Sequence, residues 1–162
     1  MIDKVLTALE NKQTILYPTD TVWGVGGGAT SKQVVEKIYT LKQRADHKAL
    51  IVLVKDIEML SKYVQEIPEQ AFAFLKEERP TTIVYPKGIQ MATNLLGGDG
   101  SIGIRIPKHP FCQELLASFD KPIISSSANS DFNIAGITDF LAILEQPIMP
   151  NFNGFNLFTN MK

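Results

Sequence analysis

With 162 residues, 44% of them hydrophobic, the chain has the size and apolar content of one compact domain with a sizeable core. A formal net charge of −1 gives no electrostatic reason for strong sequence-independent nucleic-acid binding. A single cysteine, Cys112, excludes an intramolecular disulfide and a thiolate metal cage, and the two histidines, His47 and His109, form no His-x-x-x-His pair, so no metal held directly by the protein is expected.

The longest apolar run, Ala49–Val54, falls far short of the roughly 20 residues that cross a bilayer. The first residues carry Asp3 and Lys4 ahead of a short amphipathic stretch, with neither the apolar centre nor the small-residue cleavage site of a signal peptide. A cytoplasmic protein without membrane contact is the expectation.

Residues 3–11 predict an amphipathic helix with Val5, Leu6 and Leu9 on one face, followed by a short strand over 14–17 that Pro18 ends. The glycines at 24 and 26–28 match neither G-x-G-x-x-G nor G-x-x-x-x-G-K-[ST], and predict a tight turn rather than a phosphate loop. Ser31 caps a helix running to about Leu41, with Val34, Val35, Ile38 and Leu41 at helical spacing. The run at 49–54 suits a buried strand. Further helices are expected at 57–63, 69–77 and 110–119, and strands at 81–85, 101–106 and 122–125. Gly97-Gly-Asp-Gly100 reads as a turn, 137–144 as one more helix, and Pro147–Lys162 has no clear period. Strands alternating with helices indicate an α/β layer structure, with no linker dividing residues 1–162.

Three polar clusters fall at the ends of these elements: Tyr17-Pro-Thr-Asp-Thr-Val-Trp-Gly24, Lys42-Gln-Arg44 with Lys48, and Ser125-Ser-Ser-Ala-Asn129. Between residues 32 and 62 seven cations face four carboxylates; for Lys32 and Lys37 a solvated helix face accounts for this. Lys42, Arg44 and Lys48 differ because they stand where a helix hands over to a buried strand, and Arg and Lys there can meet phosphate oxygens. A helix end whose cations favour the dipole is the plainer account. Ser125–Asn129 offers three hydroxyls and a carboxamide at a strand terminus, the usual edge of a ligand crevice in α/β sheets, or a turn with local capping. No G-x-S-x-G elbow supports a serine hydrolase. Arg105, between Ile104 and Ile106, either faces water from an alternating strand or needs a carboxylate partner, because an unpaired buried charge is costly. Cys112, beside Phe111, Leu115 and Leu116, reads as a buried helical thiol.

Taken in order, Pro18-Thr-Asp-Thr21 with Val-Trp-Gly, Lys-x-Arg at 42–44, Thr81-Thr82 after Pro80, Ser-Ile-Gly-Ile-Arg-Ile-Pro at 101–107 and Ser-x-Asn at 127–129 resemble the YrdC-like threonylcarbamoyl-adenylate synthase family. The resemblance runs from about Thr14 to Asn129. It implies an open, twisted mixed α/β sheet with flanking helices and a concave cavity. It also implies conversion of L-threonine, bicarbonate and ATP, the last with Mg2+, into threonylcarbamoyl-adenylate and pyrophosphate, which other proteins use to modify tRNA. On the same basis Arg44, Lys48, Ser101 and Ser127 contact ATP, with Lys42 and Asn129 completing their signatures, and Lys42 and Arg44 serve the reaction itself. Thr21, Arg105 and Ser125 hold L-threonine.

Two positions depart from that family. Ala45 stands where many relatives have proline after Lys-x-Arg, a change that loosens the turn. From about residue 137 the tail lacks the family's Pro-Ser-Ser/Thr-Ile segment and a last strand with arginine. The second reading this leaves is a catalytically impaired module of the same fold that binds tRNA or double-stranded RNA.

Overall fold

The computed structural model describes residues 2–21, 23–42 and 50–127. α1 (Ile2–Glu10) buries Val5, Ala8 and Leu9, a 3–4 residue spacing that makes one apolar stripe. β1 (Ile15–Tyr17) follows and is buried throughout. β2 spans Gly24–Gly26, so the expected glycine turn is in fact a strand. Glycine is needed there for close backbone approach: a Cβ on Gly26 would lie 1.7 Å from the carbonyl oxygen of Ile124.

α2 (Lys32–Lys42) starts as expected, with Ser31 Oγ accepting the Val34 amide at 3.3 Å. β3 (Ile51–Leu53), α3 (Ile57–Tyr63) and β4 (Thr82–Tyr85) fall where periodicity places them. α4 is shorter than the expected 69–77, covering Ala71–Leu75; Gln70 makes no side-chain cap and the chain turns at Glu77, whose amide donates to Phe74. A 3-10 turn at Thr93–Leu95 precedes the glycine turn, which is closed by Gly100 N–H to Gly97 and has Gly100 at φ 86°. β5 (Ile102–Arg105) leads to α5 (Pro110–Phe119), whose first position suits proline and whose end is a left-handed Asp120. β6 (Ile123–Ser127) is the last described strand.

The strands form an open mixed sheet in the order β1-β2-β6-β3-β5-β4. Only β3 and β5 pair in parallel; the other neighbours are antiparallel. Register fixes two faces. Leu16, Val25, Ile124, Val52, Ile102, Ile104 and Tyr85 share one face, and Val52, Ile102, Ile104, Ile124 and Tyr85 pack with Val34, Val35 and Ile38 of α2 and Leu60 of α3. The other face carries Ile15, Tyr17, Ile123 and Leu53, closed by Leu9 of α1 and Cys112, Leu115 and Leu116 of α5. Each fully buried aliphatic side chain contributes about 1.5–3 kcal/mol, so both layers are needed to hold the sheet.

The second face changes character beyond that apolar half. Continuing along the same rows come Gly24, Gly26, Gly103, Ser125, Ser127 and Arg105. Small side chains thus occupy the part of the face next to the β1–β2 connection, while Arg105 stands toward the opposite end, in the row of Leu53 and Ile123.

Candidate active site

Arg105 is not the surface-facing strand residue that simple alternation allows: it is only 7% exposed. Its Nη2 lies 3.7 Å from Oδ1 of Asp20, itself 12% exposed, and Asp20 Oδ2 accepts the Lys108 backbone amide at 3.2 Å. Burying a guanidinium demands such a counter-charge. Since Tyr17 pairs with Gly24 at the Ser127 end of β2, while Arg105 shares a row with Leu53 and Ile123, the segment after Tyr17 must fold back over the sheet to bring Asp20 there.

That folded segment carries Thr21. The Thr21 amide donates to Thr19 Oγ1 at 3.2 Å and the two hydroxyls lie 3.1 Å apart, a compact threonine turn held in place by Asp20 between them. From α5, Cys112 Sγ donates to the Pro18 carbonyl at 3.1 Å. Burial, with Asp20 adding to it and Arg105 opposing, pushes the Cys112 thiol up to about 12, so it is a protonated structural contact at neutral pH and not a nucleophile.

Ser125 is buried on the same face, near enough to Gly24 that a Cβ there would lie 3.1 Å from its Oγ and 3.4 Å from the Thr19 methyl. The Tyr17 hydroxyl donates to the Ile124 carbonyl at 2.9 Å, and a hydrogen bond links Tyr17 to Ser125. Burial raises the Tyr17 pKa, the Ser125 bond and the Arg105 charge lower it, and Cys112 raises it. Tyr17, Asp20, Arg105, Cys112 and Ser125 are therefore one connected cluster, with Thr21 next in the chain after Asp20.

Of the three residues expected to hold an amino acid, Arg105 and Ser125 both lie near Tyr17, and Thr21 follows Asp20, the counter-charge of Arg105. Ser127, exposed at the end of β6, lies one pleat further along the same row direction. Ser101 sits two residues before Gly103, which shares a row with Ile51 and Ser125, so it marks the same end of the sheet as Ser127. Its amide donates to Asp99 Oδ1 at 3.0 Å, and its side-chain and backbone hydrogen bonds lower the Asp99 pKa. α2 carries the chain from Gly28, which bridges Ile123, back toward Ile51, which pairs with Ser125, so Lys42 at the end of α2 lies toward that end too. Arg44, Lys48 and Asn129 lie outside the described residues, as do the helix expected at 137–144 and the tail.

Asp20 and Tyr17 are the members that reading by motif left without a role. The available signal was the Thr-Asp-Thr triplet itself: an acidic residue among hydroxyls, in a chain that also sets an arginine between two isoleucines in a strand. Beside Arg105, Thr82 shares its row on β4, and an open hollow of about 570 Å3 lies over that edge, lined by Phe74, Arg79 and Pro80 through Val84.

A protein-family model, Sua5_yciO_yrdC, described as Telomere recombination, matches residues 7–146. Threonylcarbamoyl-AMP synthase of Serratia proteamaculans is 35% identical over 129 residues, 77% of this chain and 68% of that protein. The crystal structure of P. abyssi Sua5 complexed with L-threonine is similar with a TM-score of 0.74 at 29% identity, over 79% of this chain and 38% of that one. E. coli YciO gives a TM-score of 0.69 at 27% identity, over 77% and 62%. The chain thus spans about two thirds of the curated relative and less than half of the Sua5 chain.

An open six-stranded mixed sheet with flanking helices and a buried strand arginine fits an α/β enzyme of the nucleotidyltransferase type, the type to which the curated relatives named threonylcarbamoyl-AMP synthase belong. The chain belongs to the Sua5/YciO/YrdC family.

Proposed function

We propose that the chain is an L-threonylcarbamoyl-adenylate synthase, forming threonylcarbamoyl-AMP and pyrophosphate from L-threonine, bicarbonate and ATP. The observation that supports this reading is the buried Arg105 paired with Asp20 of the Thr19–Thr21 turn, on the sheet face that also carries Ser125, in a chain whose relative Sua5 has been crystallised with L-threonine. A guanidinium on a dry face is a receptor for a carboxylate, and two hydroxyls nearby suit the rest of a small polar amino acid.

In this reading the amine of threonine adds to bicarbonate, or to the CO2 derived from it, to give a carbamate. A carbamate oxygen attacks the α-phosphorus of ATP, the bond to the β-phosphate oxygen breaks, and pyrophosphate leaves. No covalent enzyme intermediate is involved, which agrees with the inert Cys112 thiol. The protein's task is then to align two substrates and neutralise phosphate charge. Lys42, Arg44, Lys48, Ser101, Ser127 and Asn129 are assigned to ATP, with Lys42 and Arg44 serving the transferring adenylyl group. Mg2+ enters as part of the ATP substrate, held mainly by phosphates and water. The product would serve threonylcarbamoyl-transfer proteins that modify tRNA in the cytoplasm.

The test is pyrophosphate release from ATP and Mg2+ with L-threonine and bicarbonate added or withheld. Release that requires both supports the reading. Absence of release, together with RNA binding that weakens steeply with salt, would instead mark the chain as an RNA-binding module.

A further inference from the structure

Neither the Arg105 Nε nor the Asp20 Oδ1 atom has a hydrogen-bond partner, although both are buried. Their side chains nonetheless face each other across 3.7 Å, close enough for strong attraction and too long for a hydrogen bond. A guanidinium closed in a two-pronged bond with aspartate would have spent one of its donor edges; this one is neutralised while donors stay uncommitted.

Asp20 is itself fixed from behind. Its second oxygen accepts the Lys108 amide, three residues beyond Arg105, so the carboxylate is tied to the same strand exit that carries the arginine. The Cys112 contact to Pro18 pins the start of the segment against α5. Asp20 is therefore held from two sides, at the exit of β5 and against α5, between the two threonines of the turn.

We propose that Asp20 is a positioning residue that holds the Arg105 guanidinium aimed at the carboxylate of the amino-acid substrate. The proposal rests on the reading of this cluster as the L-threonine site. It deepens that reading by making the acid of the Thr-Asp-Thr turn a determinant of amino-acid affinity rather than a fold contact. ATP, assigned to the other polar groups, is not served by it.

The experiment is a double-mutant cycle read by calorimetry, titrating L-threonine and, separately, ATP into the full chain and into Asp20→Asn, Arg105→Ala and the combined variant. Asp20→Asn keeps an oxygen for the Lys108 amide and removes only the charge. It is expected to weaken threonine about tenfold or more and ATP by less than about twofold. The combined variant should bind threonine no worse than Arg105→Ala alone, since the effect of Asp20 passes through Arg105. Asp20→Glu, which restores the charge, should regain part of the loss and provides a second variant should the asparagine form fold poorly. Unchanged or tighter threonine binding in Asp20→Asn, losses that simply multiply, equal losses in Asn and Glu variants, or an equal loss of ATP would each overturn the positioning role. If the unmutated chain binds no threonine, the site reading falls and this inference with it; if it binds but the losses are independent, only this inference falls.

Discussion

Gly26 and Ile124 face each other so closely across β2 and β6 that the missing side chain of the glycine is what leaves room for the isoleucine carbonyl oxygen, 1.7 Å from where a Cβ would stand. The same oxygen accepts the Tyr17 hydroxyl at 2.9 Å, and the Tyr17 ring would lie 3.0 Å from that Cβ. Gly26→Ala must therefore displace backbone, not a flexible side-chain end. It is expected to destabilise the fold by about 2–3 kcal/mol or more in urea unfolding, the scale of overpacking in a rigid core. Gly98→Ala is the control: nothing lies within 4 Å of its Cβ, and stability should hold or rise by about 0.4–1 kcal/mol.

Arg105→Ala is expected to weaken L-threonine binding by about 2–5 kcal/mol, the cost of truncating one partner of a desolvated charged contact, while ATP binding falls much less. Arg105→Lys should recover little, because a point charge does not reproduce the guanidinium fork. Calorimetry on both ligands checks this. Equal loss of the two in a folded variant would assign Arg105 to the fold or to the nucleotide.

Alkaline pH should destabilise the protein through its buried acids. Burial raises Tyr85 from 10.0 to about 12, and burial with the nearby Asp20 raises Cys112 from 9.0 to about 12. Between the ordinary and raised values the unfolded chain has lost these protons and the folded chain keeps them. Stability conferred by the protonated forms is intact below about pH 9 and is lost as pH rises toward about 12, by at most about 1.4 kcal/mol per pH unit for each group. Urea midpoints from pH 8 to 11 should fall accordingly, and Cys112→Ala should remove the part that begins near pH 9. A thiol reagent at pH 8 should label Cys112 only after unfolding.

Asp56 accepts the Met59 amide at 2.8 Å and caps α3, whose Met59 and Leu60 enter the core. Asp56→Ala should cost about 1 kcal/mol in thermal or urea unfolding, and Asp56→Asn, which keeps an acceptor, far less. The ion pair with Lys55 at 3.6 Å is exposed enough that Lys55→Ala should change stability by no more than about 0.5 kcal/mol.

The elements that repeat a local pattern were legible along the chain. α2 and α5 begin where Ser31 and Pro110 announce them because capping and proline geometry are properties of a few consecutive residues. β3 and β6 were legible as apolar runs, since a strand in the middle of a sheet is buried on both faces. β2 was not legible: a glycine-rich stretch has no period and almost no strand propensity, and becomes a strand only because β1 and β6 supply partners on either side.

Tertiary structure alone decided which side of the sheet each row faces, because a shift of one residue in pairing would exchange the two faces. It also decided the fate of Arg105. By its neighbours the arginine could equally have pointed to water. It is buried because residues 85 positions away fold back over the sheet and set Asp20 against it, with Lys108 and Cys112 holding that segment down. Composition and order determined that this chain would build an α/β sheet with polar ends; the counter-charge that lets its arginine stay buried exists only once the chain has closed on itself, since no local pattern encodes a contact between distant residues.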